Sequence, residues 1–143
     1  MANRTIPLKK TADKILIIDD DKTLMDILSQ VLHEKGFYVT VARDGNKALK
    51  KIKDNFYAVM LIDIKLPDID GIELISKMHK TDPDMRKIIL TGNPSLDNIQ
   101  KALKGGAHDY LIKPAKLDDI LNTIETQLTI LQKELKDRYK TIN

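Results

Sequence analysis

The chain has 143 residues, of which 42% are hydrophobic, no cysteine, and a formal net charge of +3. That length builds one core and is too short for two ordinary domains, while the lack of cysteine excludes disulfides and thiolate metal sites. Arg4, Lys9, Lys10 and Lys14 against Asp13 account for the whole net charge, so residues 15–143 are neutral and give no basic footprint for nucleic acid.

Residues 1–13 read as a flexible basic tail. Residues 14–19 are a short apolar strand that ends in Asp19-Asp20-Asp21. Leu24, Ile27, Leu28, Val31 and Leu32 recur at helical spacing and predict a helix over 22–35, stopped by Gly36. Phe37 to Ala42 is β-branched and aromatic, hence a second strand, and Asp44 can cap a helix over 45–53. The third strand, over 57–62, is an almost unbroken apolar run of the kind buried on both faces of a parallel sheet; it delivers Asp63 and then turns through Pro67 and Gly71. Asp70 and Glu73 have capping-box spacing, and the helix they open is expected to bury Ile72, Ile75 and Met78 before Asp82-Pro83 breaks it. Residues 87–91 form the fourth strand. Asn93-Pro94 predicts a helix start with proline at its first position, running to about Lys104 and ending on Gly105-Gly106. Residues 108–112 make a fifth strand, Lys113-Pro114 a turn, and a last helix begins near Leu117.

Regular alternation of this kind predicts an α/β fold: a five-stranded parallel sheet, order 2-1-3-4-5, with helices on both faces. In that order the switch point lies between strands one and three, so Asp19, Asp20 and Asp63 converge at the carboxyl ends of the strands. Along the last helix, Leu117, Leu121, Ile124, Leu128, Leu131 and Leu135 have the a/d spacing of a coiled-coil seam. The expected division is a domain over 14–128 and a coiled-coil-like extension over 129–143, whose helix, to about residue 138, has no domain left to cover. A parallel homodimer or a signalling helix leading to an output region would use that seam; a frayed amphipathic extension is the plainer reading.

Three clustered carboxylates repel one another, so the group either takes up protons or binds a hard cation. Magnesium suits oxygen ligands and is typically held by one or two carboxylates together with substrate phosphates, so the cluster points to phosphate chemistry. Asp19, Asp20 and Asp21 also stand where helix caps stand, and anions are favoured there by the helix dipole. Asp63 ends a different strand, and capping does not account for it. A carboxylate can act as a nucleophile toward phosphorus, forming an acyl phosphate that needs a cation, a hydroxyl donor and a metal around it. Thr91 closes the fourth strand with a hydroxyl, and Lys113 closes the fifth with an ammonium.

Taken together, Ile17-Ile18-Asp19-Asp20-Asp21, Leu61-Ile62-Asp63 with Leu66-Pro67 and Asp70-Gly71, Ile89-Leu90-Thr91-Gly92, and Gly106-Ala107-His108-Asp109-Tyr110-Leu111-Ile112-Lys113-Pro114 resemble the receiver domain of two-component response regulators. The resemblance spans about residues 14–128 and implies a chemotaxis-type, flavodoxin-like receiver. Such a module takes a phosphoryl group from the phosphohistidine of a sensor histidine kinase or histidine phosphotransfer protein, here onto Asp63. It implies Mg2+ bound directly by Asp20 and Asp63, largely through water by Asp19, and by the main-chain carbonyl of Lys65, with Thr91 and Lys113 on the phosphoryl oxygens. It further implies that Thr91 moves toward the phosphate and Tyr110 turns inward, shifting the population of the face made by the fourth helix, fifth strand and fifth helix. A cis Lys113–Pro114 peptide is implied as well, beside the simpler role of Pro114 in stopping the strand. A protein of this kind is a phospho-accepting regulator with self-phosphorylation and autodephosphorylation chemistry rather than a conventional enzyme.

Two positions depart from the family's pattern. Ala115 stands where an aromatic usually follows the proline, and Lys65 is basic where small or polar residues are frequent. In the family the Lys65 position and that of Asn93 influence how fast water removes the phosphoryl group, so Lys65 is expected to alter the acyl-phosphate lifetime. A Lys65→Ala variant with an unchanged dephosphorylation rate would sink that expectation. Rival readings are a non-phosphorylated pseudo-receiver serving as an interaction or dimerisation module, a haloacid-dehalogenase-type phosphatase, and a nucleotide-binding protein. Intact Asp20, Asp63, Thr91 and Lys113 argue against the first, Lys65 in place of a second acid against the second, and the lack of a glycine-rich phosphate loop against the third. His33, His79 and His108 have no metal-site spacing and read as structural. With no apolar run of about 18 residues and no signal-peptide core, the expectation is a cytoplasmic protein with no membrane contact and no direct nucleic-acid binding.

Overall fold

The computed structural model describes residues 14–92 and 94–142, so the tail over 1–13, Asn93 and Asn143 lie outside the described residues. Five strands alternate with five helices: β1 (Lys14–Ile18), α1 (Lys22–Glu34), β2 (Tyr38–Ala42), α2 (Gly45–Asp54), β3 (Val59–Ile62), α3 (Gly71–Thr81), β4 (Arg86–Thr91), α4 (Leu96–Gly105), β5 (Asp109–Ile112) and α5 (Leu117–Ile142). All strand pairs are parallel and the order is β2-β1-β3-β4-β5, the arrangement the alternation predicts. Side chains of period two split the core between the faces. Leu16, Ile18, Met60, Ile62 and Ile89 pack with Ala48, Leu74, Ile75, Met78 and Ala102, under α2, α3 and α4. Ile15, Ile17, Val59, Leu61, Ile88 and Leu90 pack with Met25, Leu28, Leu32, Ile120 and Ile124, under α1 and α5.

Local chemistry sets the boundaries and corrects two expectations. Helix α4 starts at Leu96, not at Pro94, because the Ser95 hydroxyl accepts from the Asn98 N–H at 3.0 Å and so supplies the cap. In α3 the residue that points fully inward beside Ile75 and Met78 is Leu74, and Ile72 is only partly covered. Asp70 caps this helix by accepting from Ile72 N–H at 2.8 Å, one residue nearer than a capping box requires.

A larger correction concerns α5. Its second half does have a domain to cover: Leu131 and Leu135 are 1% and 3% exposed and belong to the same apolar cluster as Leu28, Leu32, Ala58 and Ile88. Polar contacts hold the helix down on that face. The Arg86 guanidinium donates to Gln127 Oε1 at 2.9 Å and Glu134 Oε2 at 3.2 Å, and Arg138 makes a two-pronged pair with Asp84 at 2.8 and 2.9 Å. Heptad spacing is therefore a true signal of an apolar stripe, but from Ile124 to Leu135 the stripe packs in this chain's own core with residues of β1, β3, β4 and α1, and Leu117 at its start stays exposed.

The amino end of β4 carries a lysine that no pattern marks as special. Lys87 is fully buried, and its ammonium donates to the Asp82 and Met85 carbonyls at 3.0 and 2.8 Å. Burial lowers its pKa to about 8. Its main chain pairs with His108, whose Nδ1 accepts from Lys87 N–H at 3.0 Å while His108 N–H donates to the Lys87 carbonyl at 2.8 Å. That imidazole must be neutral to accept, and burial, followed by the charges of Arg86 and Lys87, lowers its pKa to about 4. Between pH 6.5 and 4 the unfolded histidine binds a proton that the folded one refuses, so folding stability is lost as pH is lowered across that window. Asn in place of His108 keeps an acceptor without the titration. The stability of wild type relative to His108→Asn, from urea midpoints, is accordingly expected to shrink from pH 6.5 to pH 4; a constant difference would contradict it.

Candidate functional site

Parallel register builds the site. Ile18 pairs with Ile62 and Ile62 with Ile89, so the residues that follow β1 and β3 leave the sheet side by side. Asp63 N–H donates to the Ile18 carbonyl at 2.9 Å, and Asp19 N–H to that of Ala42 at 3.1 Å, which extends the ladder one step into the acids. Thr91 pairs with Ile112, and Lys113 N–H donates to the Thr91 carbonyl at 2.8 Å. Four strands thus deliver Asp19, Asp63, Thr91 and Lys113 to one end of the sheet, the end where doubly wound folds place their ligands.

Among the described residues, Asp19, Asp20 and Asp63 form the one group of acids able to share a cation, with a carboxylate oxygen of each within 4.8 Å of the others. Asp19 and Asp63 are 2% and 7% exposed, whereas Asp20 faces solvent. Asp21 takes no part: its carboxylate accepts from Leu24 N–H at 3.1 Å and caps α1, so the capping account holds for one acid of the three. The Lys113 ammonium bridges the two buried acids, 2.7 Å from Asp19 Oδ2 and 3.2 Å from Asp63 Oδ2. Burial raises the pKa of Asp19 and outweighs the hydrogen bond from Lys113. For Lys113, burial acts to lower the pKa, but the bond to Asp19 and the two carboxylate charges outweigh it and the net shift is upward. One ammonium serves two carboxylates, which leaves Asp19 short of charge compensation and Lys113 firmly protonated. An all-oxygen donor set with excess negative charge fits a small hard divalent cation.

The other Asp63 oxygen, Oδ1, accepts from Lys65 N–H at 3.1 Å. Beyond it the chain folds back: Gly71 N–H donates to the Ile64 carbonyl at 2.7 Å, and Lys65 and Asp70 form an isolated antiparallel bridge. Glycine is required at that return. A Cβ on Gly71 would lie 2.5 Å from the Asp63 carbonyl oxygen and 2.6 Å from Ile64 Cα, closer than real side chains approach. Asp20, Asp63, Lys65, Leu66, Pro67, Gly92 and Lys113 line an open cavity of about 370 Å³. A second cavity of about 380 Å³, more apolar, shares Lys113 and is lined by Asp21, Leu24, Leu90, Pro114, Ala115 and Ile120; the small Ala115 side chain stands at its wall.

Thr91 is fully buried at the end of β4, while Tyr110, on β5, is 42% exposed and turned to solvent. The Lys113–Pro114 peptide is cis. Sequence reasoning missed Asp68, whose carboxylate accepts from Gly45 N–H and Asn46 N–H, both at 2.8 Å, and Leu66, Pro67 and Gly92 as cavity walls. Spacing gives no sign of the Asp68 contact, because the partner amides lie 22 and 23 residues earlier in the chain.

The family model for the response regulator receiver domain matches residues 15–125. The transcriptional regulatory protein ZraR of Klebsiella oxytoca is 36% identical over 114 residues, covering 80% of this chain but 26% of that protein, so the chain spans about a quarter of the length of this relative. The crystal structure of a CheY-like receiver domain protein from Methanospirillum hungatei JF-1 superposes with a TM-score of 0.84 at 41% identity, covering 85% of this chain and 98% of the other. The solution structure of the beryllofluoride-activated NtrC4 receiver domain dimer gives 0.78 at 34% identity, covering 82% and 98%.

Proposed function

The chain belongs to the response regulator receiver domain family of two-component signal transduction, and from that premise we propose that Asp63 is its phosphoacceptor, in a reaction that depends on Mg2+. The observation that carries the proposal is the setting of this carboxylate: nearly buried at the end of β3, within reach of two further acids and of the Lys113 ammonium, and open to a cavity on one side.

Asp19, Asp20, Asp63 and the main-chain carbonyl of Lys65 would hold Mg2+, which supplies positive charge against the phosphoryl oxygens. The chain's own residues do the rest. A carboxylate oxygen of Asp63 attacks phosphorus; a P–O bond to the side chain forms as the bond from phosphorus to the donor's leaving group breaks, and the leaving group departs with the electron pair. Lys65 N–H, bonded to Oδ1, fixes the rotation of the carboxylate. Lys113 offsets negative charge on the acids before transfer and on the phosphoryl oxygens after it, and the Thr91 hydroxyl donates to one of those oxygens. Water attacking phosphorus later returns the carboxylate and releases inorganic phosphate.

The phosphodonor is a sensor histidine kinase or histidine phosphotransfer protein, and the readout is the α4–β5–α5 face, with Thr91 and Tyr110 as the moving parts. That face already exposes Leu96, Leu103, Tyr110, Ile112 and Leu117. A homodimer, a state the NtrC4 receiver adopts, would use these side chains and the outer side of α5, where Ile130 is exposed, because the seam from Ile124 to Leu135 is occupied within the chain. The proposal includes a cytoplasmic location and no direct nucleic-acid contact by these residues. No described helix is long and apolar enough to cross a membrane.

Intact mass spectrometry after incubation with acetyl phosphate tests the proposal. A gain of one phosphoryl group that requires Mg2+ is expected, and no gain under any metal condition would favour a pseudo-receiver.

A further inference from the structure

The loop that carries the phosphorylation site is tied at its outer end to a helix that touches none of the reacting groups. Residues 64–70 leave β3, wall the site cavity with Lys65, Leu66 and Pro67, and return to α3 through Gly71. The base of the loop is closed by Gly71 N–H on the Ile64 carbonyl and by the Lys65–Asp70 bridge. Its tip is closed by Asp68. Both oxygens of that carboxylate are used, Oδ1 on Gly45 N–H and Oδ2 on Asn46 N–H, each at 2.8 Å, so the side chain clamps the first turn of α2. Charge favours the same contact, since orphan amides and the positive end of a helix attract an anion. The bond from Gly45, joined by that from Asn46, outweighs the burial penalty and lowers the Asp68 pKa.

A steric contact reinforces the clamp. Ile69 sits over Gly45, and its Cγ2 methyl occupies the place that a side chain on Gly45 would need. The helix does not need Asp68 for capping alone, because Asp44 already accepts from Lys47 N–H at 2.8 Å as the N-cap. Two carboxylates therefore serve one helix end, and only one of them reaches it from the site loop.

We propose that Asp68 is a positioning residue of the phosphorylation site, which clamps the tip of the 64–70 loop to the first turn of α2 and thereby fixes the Lys65 main chain against Asp63 and the cation. This rests on the reading of Asp63 as the metal-dependent phosphoacceptor. Lys65 offers that site two main-chain groups, the N–H bonded to Asp63 Oδ1 and the carbonyl assigned to the cation. Both lie three residues from the clamp along the same short loop. Groups that orient ligands from behind typically change metal affinity or activity about 10- to 100-fold.

Asp68→Ala, Gly45→Ala and Asp44→Ala, each in the full chain, separate positioning from helix stability. The first cuts the clamp from the loop side, the second pushes Ile69 off from the helix side, and the third removes a cap from the same helix without touching the loop. Mg2+ affinity by titration calorimetry and the rate of phosphorylation by acetyl phosphate are the readouts, with melting temperature recorded for all three. Asp68→Ala and Gly45→Ala are expected to weaken Mg2+ binding and slow phosphoryl uptake about tenfold, while Asp44→Ala leaves both within about twofold at a similar melting temperature. Asp68→Asn, which keeps one acceptor oxygen, is expected to fall between wild type and alanine. Wild-type affinity and rate in Asp68→Ala, or equal losses in Asp44→Ala, would overturn the positioning role while leaving Asp63 as phosphoacceptor. A wild-type chain that takes up no phosphoryl group overturns the reading beneath it and this inference as well.

Discussion

Asp63→Asn is expected to take up no detectable phosphoryl group from acetyl phosphate at any Mg2+ concentration, while folding like the wild type. The amide has no anionic oxygen to attack phosphorus, so the chemistry is lost and not merely slowed. Mg2+ affinity falls too, because one of three clustered carboxylates becomes neutral. The fold is expected to survive for a reason visible in the site: Asp63 lies near Asp19, whose pKa is raised first by burial and also by the neighbouring Asp63 charge, and removing that charge leaves Lys113 to serve Asp19 alone. The one amide oxygen of the variant can keep one of the two hydrogen bonds that the Asp63 carboxylate accepts from Lys65 N–H and the Lys113 ammonium, so one relief and one loss oppose each other. Melting temperatures within a few degrees of each other, together with a missing phosphoryl mass, are the expected pair of results. Phosphoryl uptake by Asp63→Asn at the wild-type rate would place the acceptor elsewhere.

The acids at the site were legible in the sequence because strands buried on both faces are nearly continuous apolar runs, and a charge that ends such a run stands out against it. Asp19 and Asp63 follow that rule, whereas Thr91 ends its buried strand with an uncharged hydroxyl and Lys113 ends the half-exposed β5. Parallel pairing followed from strict alternation, since a parallel neighbour needs a helical crossover, and the order is the common one for a five-stranded doubly wound sheet. What stayed hidden depends on contacts distant in sequence. The hold of Asp68 on Gly45 and Asn46 is made by a surface acid in a loop, where acids are common. Nothing in the sequence marks Lys87 beyond its place at the start of the fourth strand, and the Asp82 and Met85 carbonyls, brought over its ammonium by the turn before β4, allow it to be buried. Heptad periodicity gave the inward stripe of α5 correctly but could not name what it meets, because an apolar stripe fits a partner helix and a domain face alike.

That ambiguity has a decisive test in Leu131→Ala. Leu131 is 1% exposed and packs in the cluster of Leu28, Leu32, Ala58 and Ile88, so truncation leaves a cavity in this chain's own core. Large-to-small changes at such sites cost about 2–5 kcal/mol, a large part of the roughly 5–15 kcal/mol that holds a domain together. Alanine is the best helix former, so loss of helix propensity cannot account for a fall of that size. Were the seam a dimer contact, the loss would appear as a concentration-dependent melting temperature, because association shifts stability by mass action. Packing within one chain predicts instead a lower urea midpoint that is the same at every protein concentration. Ile130→Ala, one position away on the exposed side, is expected to change the midpoint little, since surface substitutions are usually within about 0.5 kcal/mol. A pair of variants on neighbouring residues with opposite outcomes would fix the orientation of α5 beyond residue 128, and a loss in Leu131→Ala that varies with protein concentration would return the helix to its coiled-coil reading.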